Sequence, residues 1–270
     1  MKKIYKQKPR ISMLKIMAFS VLTYLTFLIG PICSTVLAHD LWINLSKHHV
    51  RSGDTVKVFL GWGHNYPFSD FLPIKRLKSM KLITPSDKVL TLMPKEGVPG
   101  TEVTASESGT YLVAVAMKPG YYTKTIAGHT FKSKKESKDV ISSIWYEKYA
   151  KAVFSVDTSD SKIYKKVVGH NLEIIPLNDP SCLRQGDSLS VKVLFKGKPL
   201  SRTFVYGSYL GFVGGHAFAY ATRTNNAGIA SIRLVTPGVW RLMVQHHEPP
   251  QDESLCDLMK YTAFFTFETR

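Results

Sequence analysis

The chain has 270 residues, 44% of them hydrophobic and 21% charged, with 36 Lys and Arg against 20 Asp and Glu and a formal net charge of +16. That apolar share suffices for packed cores and excludes a disordered chain. The basic excess permits contact with anionic surfaces, yet the run Phe131 to Lys138 lacks interleaved stacking aromatics, reads as a solvated loop, and gives no case for nucleic acid.

The first element is a leader. Lys2, Lys3, Lys6, Lys8, Arg10 and Lys15 precede an apolar run from Ile16 to Ile32, followed by Val36-Leu37-Ala38 with small residues at the recognition positions. This order predicts a signal peptide over residues 1–38, cleaved after Ala38, and hence a periplasmic or otherwise extracytoplasmic protein beginning at His39. An uncleaved anchor is the rival, because the run lies near the minimum of roughly 17 residues for a spanning helix. Gly30-Pro31-Ile32 before Cys33 does not suit a lipoprotein site. Cleavage would remove six basic and no acidic residues, taking the net charge from +16 to +10. It would also leave Cys182 and Cys256, which in an oxidising compartment suggest one disulfide, with two separate thiols as the alternative.

Beyond the leader, period-two alternation dominates. Thr55–Phe59, Tyr111–Val115, Ser188–Val193 and Ile229–Leu234 alternate in the manner of half-buried antiparallel strands. Leu172–Pro176, Val239–Val244 and Thr262–Phe267 add further strands. Turn formers such as Ser52-Gly53-Asp54, Asn225-Asn226-Ala227-Gly228 and Thr236-Pro237-Gly238 separate such runs. The one stretch with helical character is Ser137 to Lys148. A polar segment, Asp157 to Lys162, divides two runs that each hold enough strands for a sandwich. The expectation is an all-β chain of two tandem immunoglobulin-like or prealbumin-like β-sandwich domains, 39–166 and 167–270, after the signal peptide.

The chemistry rests on histidine. Cleavage after Ala38 would give His39 an α-amine beside its imidazole, two nitrogen donors able to close a chelate ring on one metal ion. The free amine titrates near 7.7 to 8.0 in model compounds, so a metal can displace its proton at neutral pH. His64, in Gly61-Trp62-Gly63-His64, follows a strand end where glycines permit close backbone approach. His246 and His247 end the strand from Val239, and adjacent strand residues face opposite ways, so one of them can reach a given site and the sequence leaves open which. His48-His49 and His216 have weaker contexts, and surface or capping roles suit His129 and His170. No CxxC pair, H-x-x-x-H helix, Walker loop, G-x-S-x-G elbow or EF-hand is present. Imidazole and amine donors without thiolate suit nickel, cobalt, copper or zinc over calcium or magnesium.

Several short fragments in a shared order carry a resemblance. They include Ala38-His39-Asp40-Leu41-Trp42-Ile43, Gly63-His64, Tyr121 to Thr125, Lys148-Tyr149-Ala150-Lys151-Ala152, Leu172 to Leu177, Val193 to Leu200, Gly238-Val239-Trp240 and Cys256-Asp257. Over most of its length after the leader, the chain resembles a family of domain-of-unknown-function proteins linked to the periplasmic components of cobalt and nickel transport systems. The resemblance implies handling of a nickel or cobalt ion beside a membrane metal-transport complex, with His39 and His64 at recurrent histidine positions and His247 near a third. It supplies no reaction. The chain departs from the family at Asn225-Asn226, where an acidic turn is more usual.

Three functions follow. The first is a non-enzymatic module that captures nickel or cobalt through His39, His64 and one of His246 or His247, touching the membrane only through an uncleaved leader or a partner. The second is a copper-dependent oxidative enzyme built on the amino-terminal histidine. The third is a structural or interaction sandwich without metal, using Trp62, Tyr66 and Phe68 as a contact patch.

Overall fold

The structure is a computed structural model that describes residues 39–270 apart from 68, 97, 99, 159, 160 and 213–216. The leader with Cys33 and the cleavage point therefore lies outside the described residues, as do Phe68 and His216. The described chain is all-β with three short 3-10 turns.

Strands gather into three sheets. The first contains Asp40–Leu45, Thr55–Gly63, Asp70–Phe71 and Gly100–Thr104. The third contains Leu172–Pro176, Ser188–Phe195, Lys198–Pro199 and Ile229–Arg233. Between them lies a larger sheet whose order is Tyr220–Arg223, Phe204–Tyr209, Gly238–Glu248, Leu258–Thr269, Val140–Val156, Gly109–Met117, Leu77–Ile83 and Val89–Thr91. Strands from both sides of residue 166 share this central sheet, and Ala38–Arg270 makes up one compact unit.

Alternation along the central strands supplies both cores. Ala150, Ala152, Phe154 and Phe264 join Leu41, Ile43, Val58 and Trp62 of the first sheet in one cluster. Their chain neighbours Tyr149, Val153, Phe265 and Phe267 join Ile174, Val191 and Ile232 of the third sheet in the other. A strand covered on both faces needs apolar residues at every position. Gly109–Met117 is accordingly buried throughout, where the alternation predicted a half-buried strand.

Two other expectations are corrected. Ser137 to Lys148 forms no helix: Val140–Val156 is a strand of 17 residues, and its β-branched and aromatic side chains pack well on a pleated surface. It joins Leu258–Thr269 in parallel register, Ile144 opposite Leu258 through Ala152 opposite Thr266, so the pairing is not antiparallel throughout.

Cys182 and Cys256 do not bridge. Cys182 closes a 3-10 turn beside the C-terminal end of Leu258–Thr269, where the Arg270 amide donates to the Leu183 carbonyl. Cys256 is buried just before the other end of that strand. Twelve extended residues span about 40 Å, far beyond the roughly 7 Å limit between bridged Cα atoms.

Candidate functional site

The site grows from the pairing of Asp40–Leu45 with Thr55–Gly63. Their antiparallel register sets Asp40 opposite Gly63 and Leu41 opposite Trp62. One step further along the same ladder brings His39 opposite His64, and their ring centroids lie 4.6 Å apart. His39 shares the strand face of Leu41 and Ile43, so the pair sits at the open end of the first core. The Trp62 ring lies edge-on to His39 at 5.3 Å.

Charged groups surround the pair. Lys148, fully buried on the facing central strand, donates from Nζ to the backbone carbonyl of His39, and its ammonium lies 5.2 Å from the Trp62 ring centroid. Burial pushes its pKa down to about 7, with Lys260 and Arg76 adding to the effect and Asp40 opposing it. Arg76 stacks its guanidinium over Trp62 at 5.6 Å. Burial, followed by His64, Lys148 and Arg76, holds the His39 imidazole below its ordinary pKa, and Asp70 pulls the other way. Pairing with Trp62 in the strand register places Asp70 beside the site.

The remaining predicted ligands separate. His247 pairs with Lys260, which pairs with Tyr146, so His247 faces the first core as the histidine pair does. Lys260 stands between it and Val140–Val156, and burial followed by Lys260 holds its pKa down. His246 faces the opposite way, its ring 4.3 Å from Phe195 and 6.4 Å from Tyr261 in the second core. Of the two, His247 is the one on the strand face that meets the first core. Among the described residues, no group of three or more His, Cys, Asp or Glu side chains is placed to hold a metal ion. Two of the four predicted ligands, His39 and His64, are brought together.

The other histidines have structural settings. His48 is 4% exposed, its Nδ1 lies 2.9 Å from the Val153 carbonyl, and burial pushes its pKa down to about 4. His49 meets Ser155 Oγ at 2.8 Å and Glu268 at 3.7 Å. His170, for which a surface or capping role was expected, stacks on Tyr149 at 4.6 Å, with its pKa pushed down to about 3 by burial and then by nearby lysines. His129 stacks on Tyr122 at 5.3 Å. Trp62 and Tyr66, expected in an exposed contact patch, are buried in the fold.

Sequence reasoning missed the charged frame of Asp40, Lys148, Arg241 and Lys260. Its signal was present in Ile144–Val156, where Lys148 and Lys151 interrupt an apolar run; lysines there must be buried and need partners. Lys151 finds Glu173 at 2.9 Å, with both side chains buried. Asp40 is buried, and its charge acts on Lys148, Arg241 and Lys260. Arg241 also lies 4.4 Å from the Tyr66 ring centroid and 5.3 Å from that of Trp42.

Comparison with known families matches residues 36–248 to the family described as a domain of unknown function (DUF4198). No curated protein matches the chain. Among solved structures, the chain is similar to the D0-D1 domain of intimin at 12% identity, covering 85% of this chain and 98% of that one with a TM-score of 0.21. It is also similar to Salmonella alpha-2-macroglobulin reacted with methylamine, at 10% identity over 86% of this chain and 15% of that one, TM-score 0.24. The fibronectin(III)-like modules of Clostridium thermocellum CbhA show 9% identity over 84% and 94%, TM-score 0.19.

Proposed function

Within the DUF4198 family, to which this chain belongs, we propose that this member captures a nickel or cobalt ion outside the cytoplasm and presents it to a membrane transport complex. The observation that carries the reading is the cross-strand approach of His39 and His64 at 4.6 Å. Two imidazoles on facing strands can share one borderline-soft ion, and nitrogen donors select nickel, cobalt, copper or zinc.

Electrostatics makes a third donor necessary. Lys148 and Arg76 lie close enough to His39 to act on its charge, and a divalent cation placed there meets the same repulsion. Asp70 offsets part of it. An α-amine on His39, freed by cleavage after Ala38, would close a chelate with the same residue's imidazole and add the donor that two imidazoles lack.

Titration calorimetry with nickel and cobalt, and with copper and zinc for comparison, tests this on protein whose first residue is His39. The expected result is one site per chain, weakened at least tenfold when one residue precedes His39 or when His64→Ala is introduced. Equal affinity for all three forms removes the proposal.

A further inference from the structure

A second surface lies beside the histidine pair and has a different chemistry. Strands Gly120–Thr125 and Gly128–Thr130 form a hairpin whose two-residue turn is Ile126-Ala127. Such turns ordinarily carry Asn, Asp or Gly, because those residues suit the backbone and are at home in water. Here the turn holds an isoleucine that is 79% exposed.

The adjoining strand adds another apolar side chain. Val140 pairs with Thr125 and Ser142 with Lys124, so Ile141 is the extra residue of a bulge. A bulge re-aims a side chain, and Ile141 is 58% exposed. The Ile126 amide donates to the Asp139 carbonyl, which ties the turn to the start of that bulged strand. Phe131, 53% exposed, follows the hairpin and packs on the Arg76 guanidinium at 4.4 Å. Arg76 reaches in turn over Trp62, the ring that adjoins His39.

Charge accompanies these apolar tips. Lys132, Lys135 and Lys138 are exposed in the loop after Phe131. The exposed carboxylate of Glu136 in the same loop accepts from the Ser133 amide at 3.0 Å and from its hydroxyl, Asp139 is exposed at the loop's end, and Lys134 pairs with Asp257 at 2.5 Å. Residues 131–139 thus hold four lysines against two acidic residues, and three of those lysines are exposed.

We propose that this hairpin rim is a peripheral docking surface for an anionic lipid bilayer, with Ile126, Ile141 and Phe131 entering the headgroup boundary and the lysines meeting anionic headgroups. Apolar side chains at a turn, with exposed lysines in the adjoining loop, match a surface that is negatively charged outside and apolar within. The proposal stands on the hairpin alone and does not depend on the metal reading.

Residues 39–270, the compact unit whose two cores are described above, test it by co-sedimentation with phosphatidylcholine vesicles containing about 30% phosphatidylglycerol, and with vesicles of phosphatidylcholine alone. Binding is expected on the anionic vesicles and should fall steeply between about 0.1 M and about 0.5 M salt. Each of Lys132→Glu and Lys135→Glu should weaken it by about fivefold or more, as the loss of one basic contact near the surface implies. Ile126→Asp and Ile141→Asp should weaken it comparably with melting temperatures unchanged, since both positions are exposed. Absence of binding, equal binding to neutral vesicles, or variants that bind as the parent does would each overturn the proposal, as would capture of a protein through this rim without any vesicle binding.

Discussion

Acid should destabilise this protein, and His48 should account for a measurable share. The ring is buried, its Nδ1–H donates to the Val153 carbonyl, and its pKa is pushed from 6.5 to about 4. Above 6.5 the ring is neutral in both the folded and the unfolded chain and contributes no pH dependence. Between 6.5 and about 4 the unfolded chain binds a proton that the folded one refuses, so stability falls as pH falls and levels off below the folded value. Each tenfold rise in proton concentration across that window costs about 1.4 kcal/mol, which gives about 2 kcal/mol at about pH 5 and about 3 kcal/mol in all. Urea unfolding of residues 39–270 at about pH 7 and about pH 5 measures it, with His48→Gln as the control. Other histidines with lowered values, His170 among them, add loss in the same direction in both proteins and cancel in the comparison. The variant should lose about 2 kcal/mol less than the parent between the two pH values. Identical losses would refute the assignment of a buried neutral ring to His48.

Two further perturbations test the frame around the site. Removing one partner of the buried pair, by Lys151→Met or Glu173→Leu alone, should cost about 3 to 5 kcal/mol because the other charge is stranded, whereas the double substitution should recover most of it; urea unfolding of the four proteins reads this directly. Gly61→Ala should lower stability by about 1 to 3 kcal/mol, because a Cβ there would lie 2.2 Å from the Trp42 indole; a melting temperature equal to that of the parent would contradict that packing.

Strands of the first and third sheets were legible because each of these sheets turns one face to a core, and that writes period two into Thr55–Phe59, Ser188–Val193 and Ile229–Leu234. Where a strand is covered on both faces the pattern dissolves. Val140–Val156 pairs with strands from distant parts of the chain, and no local property of Ser137 to Lys148 reveals those partners, so tertiary pairing overrode a faint helical signal. The disulfide failed for a similar reason: two thiols in one chain need proximity, and a strand of 12 residues holds them apart. At the site, residue type singled out His39 and His64, but their pairing is a matter of register across a turn and a short intervening strand. The orientation of His247 over His246 likewise required knowing which face of Gly238–Glu248 meets the first sheet.

Register also explains how a donor just ahead of the first strand, Asp40–Leu45, can be ordered. Cleavage after Ala38, as proposed, would make His39 a chain end; such ends ordinarily fray, and ordering one costs about 1 to 2 kcal/mol of backbone entropy per residue. Here the His39 carbonyl accepts from Lys148, and the following residue, Asp40, is buried within electrostatic reach of Lys148, Lys260 and Arg241. The cations come from central-sheet strands on both sides of residue 166, so the far half of the chain helps to fix where His39 begins. A ligand meeting His39 and His64 would find them already facing each other, and the entropy of bringing them together would be spent in folding and not in binding. The same cations oppose a divalent ion near the imidazoles. Position and charge therefore pull in opposite directions at this site, and the α-amine that the proposed cleavage would free on His39 is the group that would decide between them.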